Sequence, residues 1–213
     1  MSSEQGAYAL PAHFRGFALM HVAMRRDAGR LVLAAPNLAP SSLPRVRGWW
    51  GRLHDVIDWH HHSEDEILWP ALRRLVPGFA DRESELVHDH GELEDAMDQV
   101  TAALDRPRAG ALSGAAVNFH RVLKDHLHDE EEIVFPIFAH QVSIVDYAAI
   151  ERRIIASAPA KVLGHLQPWM FDGADYDSIR RVAATIPPPV RLLGNTLLRL
   201  RYERGVAPLL AMA

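Results

Sequence analysis

Cysteine is absent from the 213 residues, which excludes disulfides, thiolate metal sites, iron–sulfur clusters and cysteine nucleophiles. Any metal must be held by nitrogen and oxygen. No apolar run approaches the roughly 18 residues of a membrane span. The N-terminus has no basic segment followed by an apolar one, so no secretory signal is expected. A soluble cytoplasmic protein with no membrane partner is the expectation. The formal net charge of −4 argues against nucleic acid as the main partner. Tyrosine is also scarce. Tyr8 is the only one before residue 147, which leaves a tyrosine-assisted redox site without an obvious residue.

Histidine, by contrast, is abundant and uneven. Twelve of the thirteen histidines lie in the first 140 residues, with 14 Lys and Arg against 21 Asp and Glu. Residues 141–213 hold 9 and 6, and their lone His165 reads as a packing or surface residue. The chemistry therefore belongs to the N-terminal two-thirds.

That part of the chain carries a duplicated segment. Residues 60–70 read H-H-H-S-E-D-E-I-L-W-P and residues 126–136 read H-L-H-D-E-E-E-I-V-F-P. His60, His62, Glu64, Glu66, Ile67 and Pro70 are answered 66 positions later by His126, His128, Glu130, Glu132, Ile133 and Pro136. Imidazoles and carboxylates at helical spacing, given twice, suit metal ions held between helices.

Apolar periodicity predicts four long helices, at about 11–35, 42–76, 81–104 and 113–139. Ser42 reads as an N-cap with Pro44 in the first turn, and Glu83 and Glu85 favour the start of the third helix. Pro70 and Pro136 either kink their helices or end them a turn early. Weaker helices are expected at about 142–156, 160–166, 176–185 and 190–204. The fold class is all-α: an up-down-up-down four-helix bundle over residues 10–140, with additional short helices in a C-terminal extension, residues 141–213, packed on it.

The stripes select the inward residues. Leu53, Ile57, His60, Glu64, Ile67 and Ala71 form a core stripe, as do Leu123, His126, Glu130, Ile133 and Ile137. The stripes through His62/Glu66 and His128/Glu132 lie on wet faces, since two residues turn the helix by about 200°. His90 sits among Leu86, Leu93 and Met97, and His21 between Phe17 and Met24, whereas His88 falls on a polar face. The expected ligand set is His21, His60, Glu64, His90, His126 and Glu130. Buried His–Glu ion pairs without metal are the structural alternative.

Six inward ligands exceed what one tetrahedral zinc uses. Two six-coordinate ions with Glu64 and Glu130 bridging, terminal histidines and a solvent oxygen use the set fully. Imidazole-rich sites suit iron.

These segments, together with His21 in H-V-A-M-R-R-D and His90 in H-D-H-G-E-L, resemble the hemerythrin-like proteins of the HHE cation-binding group over roughly residues 10–140. The resemblance implies a non-haem di-iron centre, with two iron ions joined by an oxo or hydroxo bridge in a four-helix bundle. Oxygen carriers of that group have a second inward histidine on the third helix. Here that place is Glu94, a departure from the carrier pattern, and a fifth histidine could come from His61, His54, His120 or His88. The expected function is binding or sensing of O2, nitric oxide or peroxide, or iron handling. The alternatives are a di-iron redox enzyme, acting on peroxide or nitric oxide, and a metal-free structural module.

Overall fold

A computed structural model describes residues 10–106 and 110–210, with side chains for all of these except residues 12, 84, 85, 87–89, 208 and 210. Tyr8 and the side chains of Glu85 and His88 lie outside the described residues. The described residues form helices and connecting turns, with no strand among them.

After a 3-10 turn at Ala12–Phe14, helix α1 runs Arg15–Ala34. Proline-bearing 3-10 turns at Ala35–Asn37 and Pro40–Ser42 then reverse the chain. Helix α2 is Leu43–Ser63, passes into a π-helical turn at Glu64–Leu68, and resumes as α3, Trp69–Leu75. Gly78 and Gly110 adopt left-handed backbone (φ 79° and 74°) immediately before α4, Phe79–Asp105, and α5, Ala111–His140. Side chains with a Cβ rarely take that conformation. The remaining helices are α6 (Ile144–Ser157), α7 (Ala160–Phe171), α8 (Tyr176–Thr185), α9 (Pro188–Leu193) and, after a π turn at Gly194–Leu198, α10 (Arg199–Leu210).

Three local expectations change. Ser42 closes a 3-10 turn in right-handed backbone and its hydroxyl makes no cap, so α2 starts on Pro44 alone. Pro70 sits in the first turn of α3, directly after the π turn, where Trp69 N–H donates to Glu64 O five residues back. The wider turn relieves the clash a proline ring makes with the carbonyl four residues before it. Pro136 neither ends α5 nor brings in a π turn. The true caps lie later: Ser143 Oγ accepts from Asp146 N–H at 3.1 Å and Asp175 Oδ1 from Ser178 N–H at 3.0 Å.

Helix α5 packs on α1 and α4, and α2 packs on α1 and α4. The apolar interior falls into two clusters. One holds Leu19, Met24, Trp49, Leu53, Leu93 and Phe119; the other holds Phe14, Phe17, Trp69, Phe79, Ile133 and Phe138. Between them, on α2, α4 and α5, come the segments bearing His60, His90 and His126.

The C-terminal helices cover α1 and α2. Their anchor is Asp27, which is fully buried. It accepts from Trp169 Nε1 (3.0 Å), Arg26 Nε (2.8 Å) and Arg30 Nη1 (3.0 Å). Arg30 also donates to Asp172 Oδ2 (2.7 Å), which accepts from Tyr202 Oη (2.7 Å) as well. A buried carboxylate is tolerated only when so surrounded by donors. His165 is buried between Trp169 and Tyr202, as a packing residue.

Candidate metal centre

The polar layer is assembled one helix at a time. Helix α1 brings His21, fully buried one turn after Phe17. The last turn of α2 brings His60 and His61, and the π turn brings Glu64. Its N–H bonds to both His60 O and His61 O, while Ser63 Oγ donates to His60 O at 2.8 Å. π turns recur where a helix must re-aim side chains at a functional site. Helix α4 brings His90, and α5 brings His126 and Glu130, 3 % and 0 % exposed.

The donors fall into two groups. His21, His60, Glu64 and Glu130 offer ligand atoms all within 4.8 Å of one another, and so do His61, His90 and His126. In the first group His21 Nε2 and His60 Nε2 are 3.2 Å apart. Two imidazole nitrogens at right angles on one metal, with bonds of about 2.1 Å, would be about 3 Å apart. Glu64 reaches both groups: its Oε1 lies 2.9 Å from His60 Nε2 and its Oε2 3.9 Å from His90 Nε2. Glu130 Oε2 lies 3.6 Å from His21 Nε2 and 3.9 Å from His126 Nε2.

Both ring nitrogens of His126 and Nε2 of His61 are shut off from solvent with no hydrogen-bond partner, and the carboxyl oxygens of Glu64 and Glu130 are shut off with only each other and the neighbouring histidines in reach. Burying such atoms unpaired costs a few kcal/mol each, and a cation is what this donor set would accept. Burial pushes both Glu64 and Glu130 well above the usual carboxyl range, and the neighbouring Glu64 charge adds to the shift at Glu130. Burial lowers His60 to about 3 and holds His61 and His126 well below the ordinary value, with the neighbouring histidines contributing to the last two. Glu131 behaves differently. Burial opposes its charge, yet hydrogen bonds from His21 and Arg25 hold it below the usual range.

All six histidines and glutamates singled out from the sequence converge here. His62, Glu66, His128 and Glu132 are exposed, as their stripes imply. Glu94, in the carrier's second-histidine place, is exposed too. His54 is half-buried beside Trp50, and His120 is half-buried. Of the described candidates for a fifth histidine, His61 alone joins the cluster. Its ring stacks on His90 with centroids 4.3 Å apart and planes at 14°, and meets His126 edge-on at 5.0 Å. The repeat gives no hint of this, because Leu127 stands at the matching position.

The helical fold and its buried layer of imidazoles and carboxylates define a protein with a His/Glu cluster able to hold metal. The hemerythrin HHE cation binding domain profile matches residues 14–138, and the chain belongs to that family. No curated protein and no solved structure gives a significant match.

Proposed function

We propose that this protein is a non-haem di-iron protein of the cytoplasm that binds or senses a small ligand (O2, nitric oxide or peroxide) or handles iron. Helices α1, α2 with α3, α4 and α5 serve as an up-down-up-down four-helix bundle around the centre. One iron would be held by His21 and His60 and the other by His61, His90 and His126, with Glu64 and Glu130 placed between the two groups. The observation that carries the reading is Glu64, whose two oxygens face histidines of different groups. A carboxylate so placed suits a pair of ions better than one.

Bound iron would supply redox chemistry and a coordination position for the exogenous ligand. The chain supplies the rest. The first group has one histidine fewer than the second, so an exogenous ligand would find room on the His21/His60 side. Phe17 stands 4.7 Å from the His21 ring and 5.5 Å from His60, and Phe135 stacks on His21 at 6.2 Å. These rings line that side with apolar surface, which would favour binding over turnover. The partner is then a small molecule, not nucleic acid or a membrane; no described helix is long and apolar enough to cross one.

The test is titration of the reduced, iron-loaded protein with O2, nitric oxide and peroxide while the visible spectrum is followed. A reversible adduct with any of them supports the binding reading. Many turnovers of peroxide or nitric oxide per chain would replace it with the enzyme reading.

A further inference from the structure

The duplicated segment has a pair of residues that the ligand set does not use. The residue after each inward glutamate is acidic in both copies: Asp65 after Glu64, Glu131 after Glu130. On a helical wheel each is turned about 100° from its ligand neighbour, which suggests solvent. Glu131, however, is only 8 % exposed, and its Oε1 lies 3.0 Å from His21 Nδ1. Asp65 Oδ2 lies 3.5 Å from His90 Nδ1. Each carboxylate thus reaches the one histidine that a neighbouring helix contributes, α1 in one case and α4 in the other.

We infer that Glu131 is a positioning residue for His21, and that Asp65 plays the same part, more loosely, for His90. This rests on the di-iron reading and adds its outer shell. The warrant is tautomeric. Arg25 Nη1 donates to the same Glu131 Oε1 at 2.6 Å, so that oxygen belongs to an ion pair and can only accept. In the neutral ring His21 Nδ1 must then carry the proton, which leaves Nε2 with its lone pair, facing His60 Nε2 and Glu130. A histidine locked this way by a carboxylate has its ring orientation fixed and its donor nitrogen made more basic. Arg25, one turn beyond His21 on α1, tempers the added negative charge.

The two copies are unequal. Glu131 is buried, short and paired with Arg25, whereas Asp65 is 41 % exposed at its side chain and sits at 3.5 Å. Glu131 would therefore orient the histidine on the less histidine-rich side firmly, and Asp65 its counterpart on the other side more weakly.

The experiment compares wild type, E131A, E131Q, D65N and E132Q for iron affinity and midpoint potential. Glu132 is the exposed neighbour in the same acidic run, so E132Q changes neither quantity. E131A weakens binding of one iron by about 10- to 100-fold. E131Q keeps an acceptor for His21 but loses the charge, so it retains both irons with a raised midpoint potential. D65N moves both quantities less than E131Q. Nitrogen-15 NMR of the metal-free wild type reads the His21 tautomer directly and needs no iron: Nδ1–H is expected. An Nε2–H tautomer there, or wild-type affinity and potential in E131A and E131Q, overturns the inference. If wild type takes up no iron pair while the Nδ1–H tautomer is present, the di-iron reading fails and the positioning of His21 by Glu131 stands.

Discussion

Metal loading should release protons from the buried carboxyls of the site. In the metal-free layer, burial raises Glu64 and Glu130 well above the usual carboxyl range, so each keeps its proton to a higher pH than an exposed glutamate does. His60, lowered to about 3, and His61 and His126, also lowered, are already neutral and have none to give. A cation takes only the carboxylate form, so filling the site displaces the protons the glutamates hold, at most two per chain. Each displaced proton is worth about 1.36 kcal/mol per pH unit. Affinity for the ion pair should thus fall on acidification, by at most roughly 100-fold per pH unit where both glutamates are protonated.

The stability of the metal-free fold runs the other way for the two residue types. The raised glutamates contribute stability that is full below their ordinary 4.5 and is lost as pH rises through the raised value. The lowered histidines contribute stability that is full above 6.5 and is lost as pH falls, toward about 3 for His60. Titration calorimetry with a divalent metal, in two buffers of different ionisation heat, counts the protons. Release of none at any pH above 4.5, or net uptake, would refute the upward shift of Glu64 and Glu130.

Three further outcomes can be checked together. His61→Ala should lose one iron per chain by metal analysis, while His62→Ala and His128→Ala keep both; two irons in His61→Ala would return the fifth ligand to an open question. Asp27→Ala leaves Trp169, Arg26 and Arg30 without their shared acceptor and should destabilise the fold by roughly 3–5 kcal/mol. At about 2–4 °C per kcal/mol for a chain of this size, thermal unfolding should fall by roughly 6–20 °C, and a loss under 2 °C would show that the anchor is unimportant. His165 is lowered to about 4 by burial, so it contributes about 3 kcal/mol above pH 6.5 that is lost as pH falls to about 4. Urea unfolding of His165→Leu should show a correspondingly shallower acid limb.

Much of the site was legible because buried polarity stands out against an apolar stripe. His60, Glu64, His126 and Glu130 interrupt rows of Leu and Ile, and the helical period alone turns them inward. His61 was not legible, for two reasons. An even turn of about 100° per residue takes it off the stripe of His60, and the second copy has Leu127 in its place. Its contact with His90 depends on how α2 and α4 lie together, which no local pattern encodes. Glu131 was hidden inside an acidic run that reads as solvated, and only the packing of α5 on α1 buries it. Asp27, between arginines on α1, reads as a surface charge until Trp169, 142 residues on, covers it. The π turn at Glu64–Leu68 was foreshadowed by Pro70 as a disturbance, but Pro136 shows that proline alone does not determine the response.

The central claim is that this layer of five histidines and two glutamates holds two iron ions. Iron analysis of the purified chain after anaerobic ferrous loading and removal of excess metal tests it most directly. The account predicts about two irons per chain, falling toward none when Glu64 and Glu130 are both replaced by alanine. A chain that retains no iron, or the same amount with and without those glutamates, would contradict it.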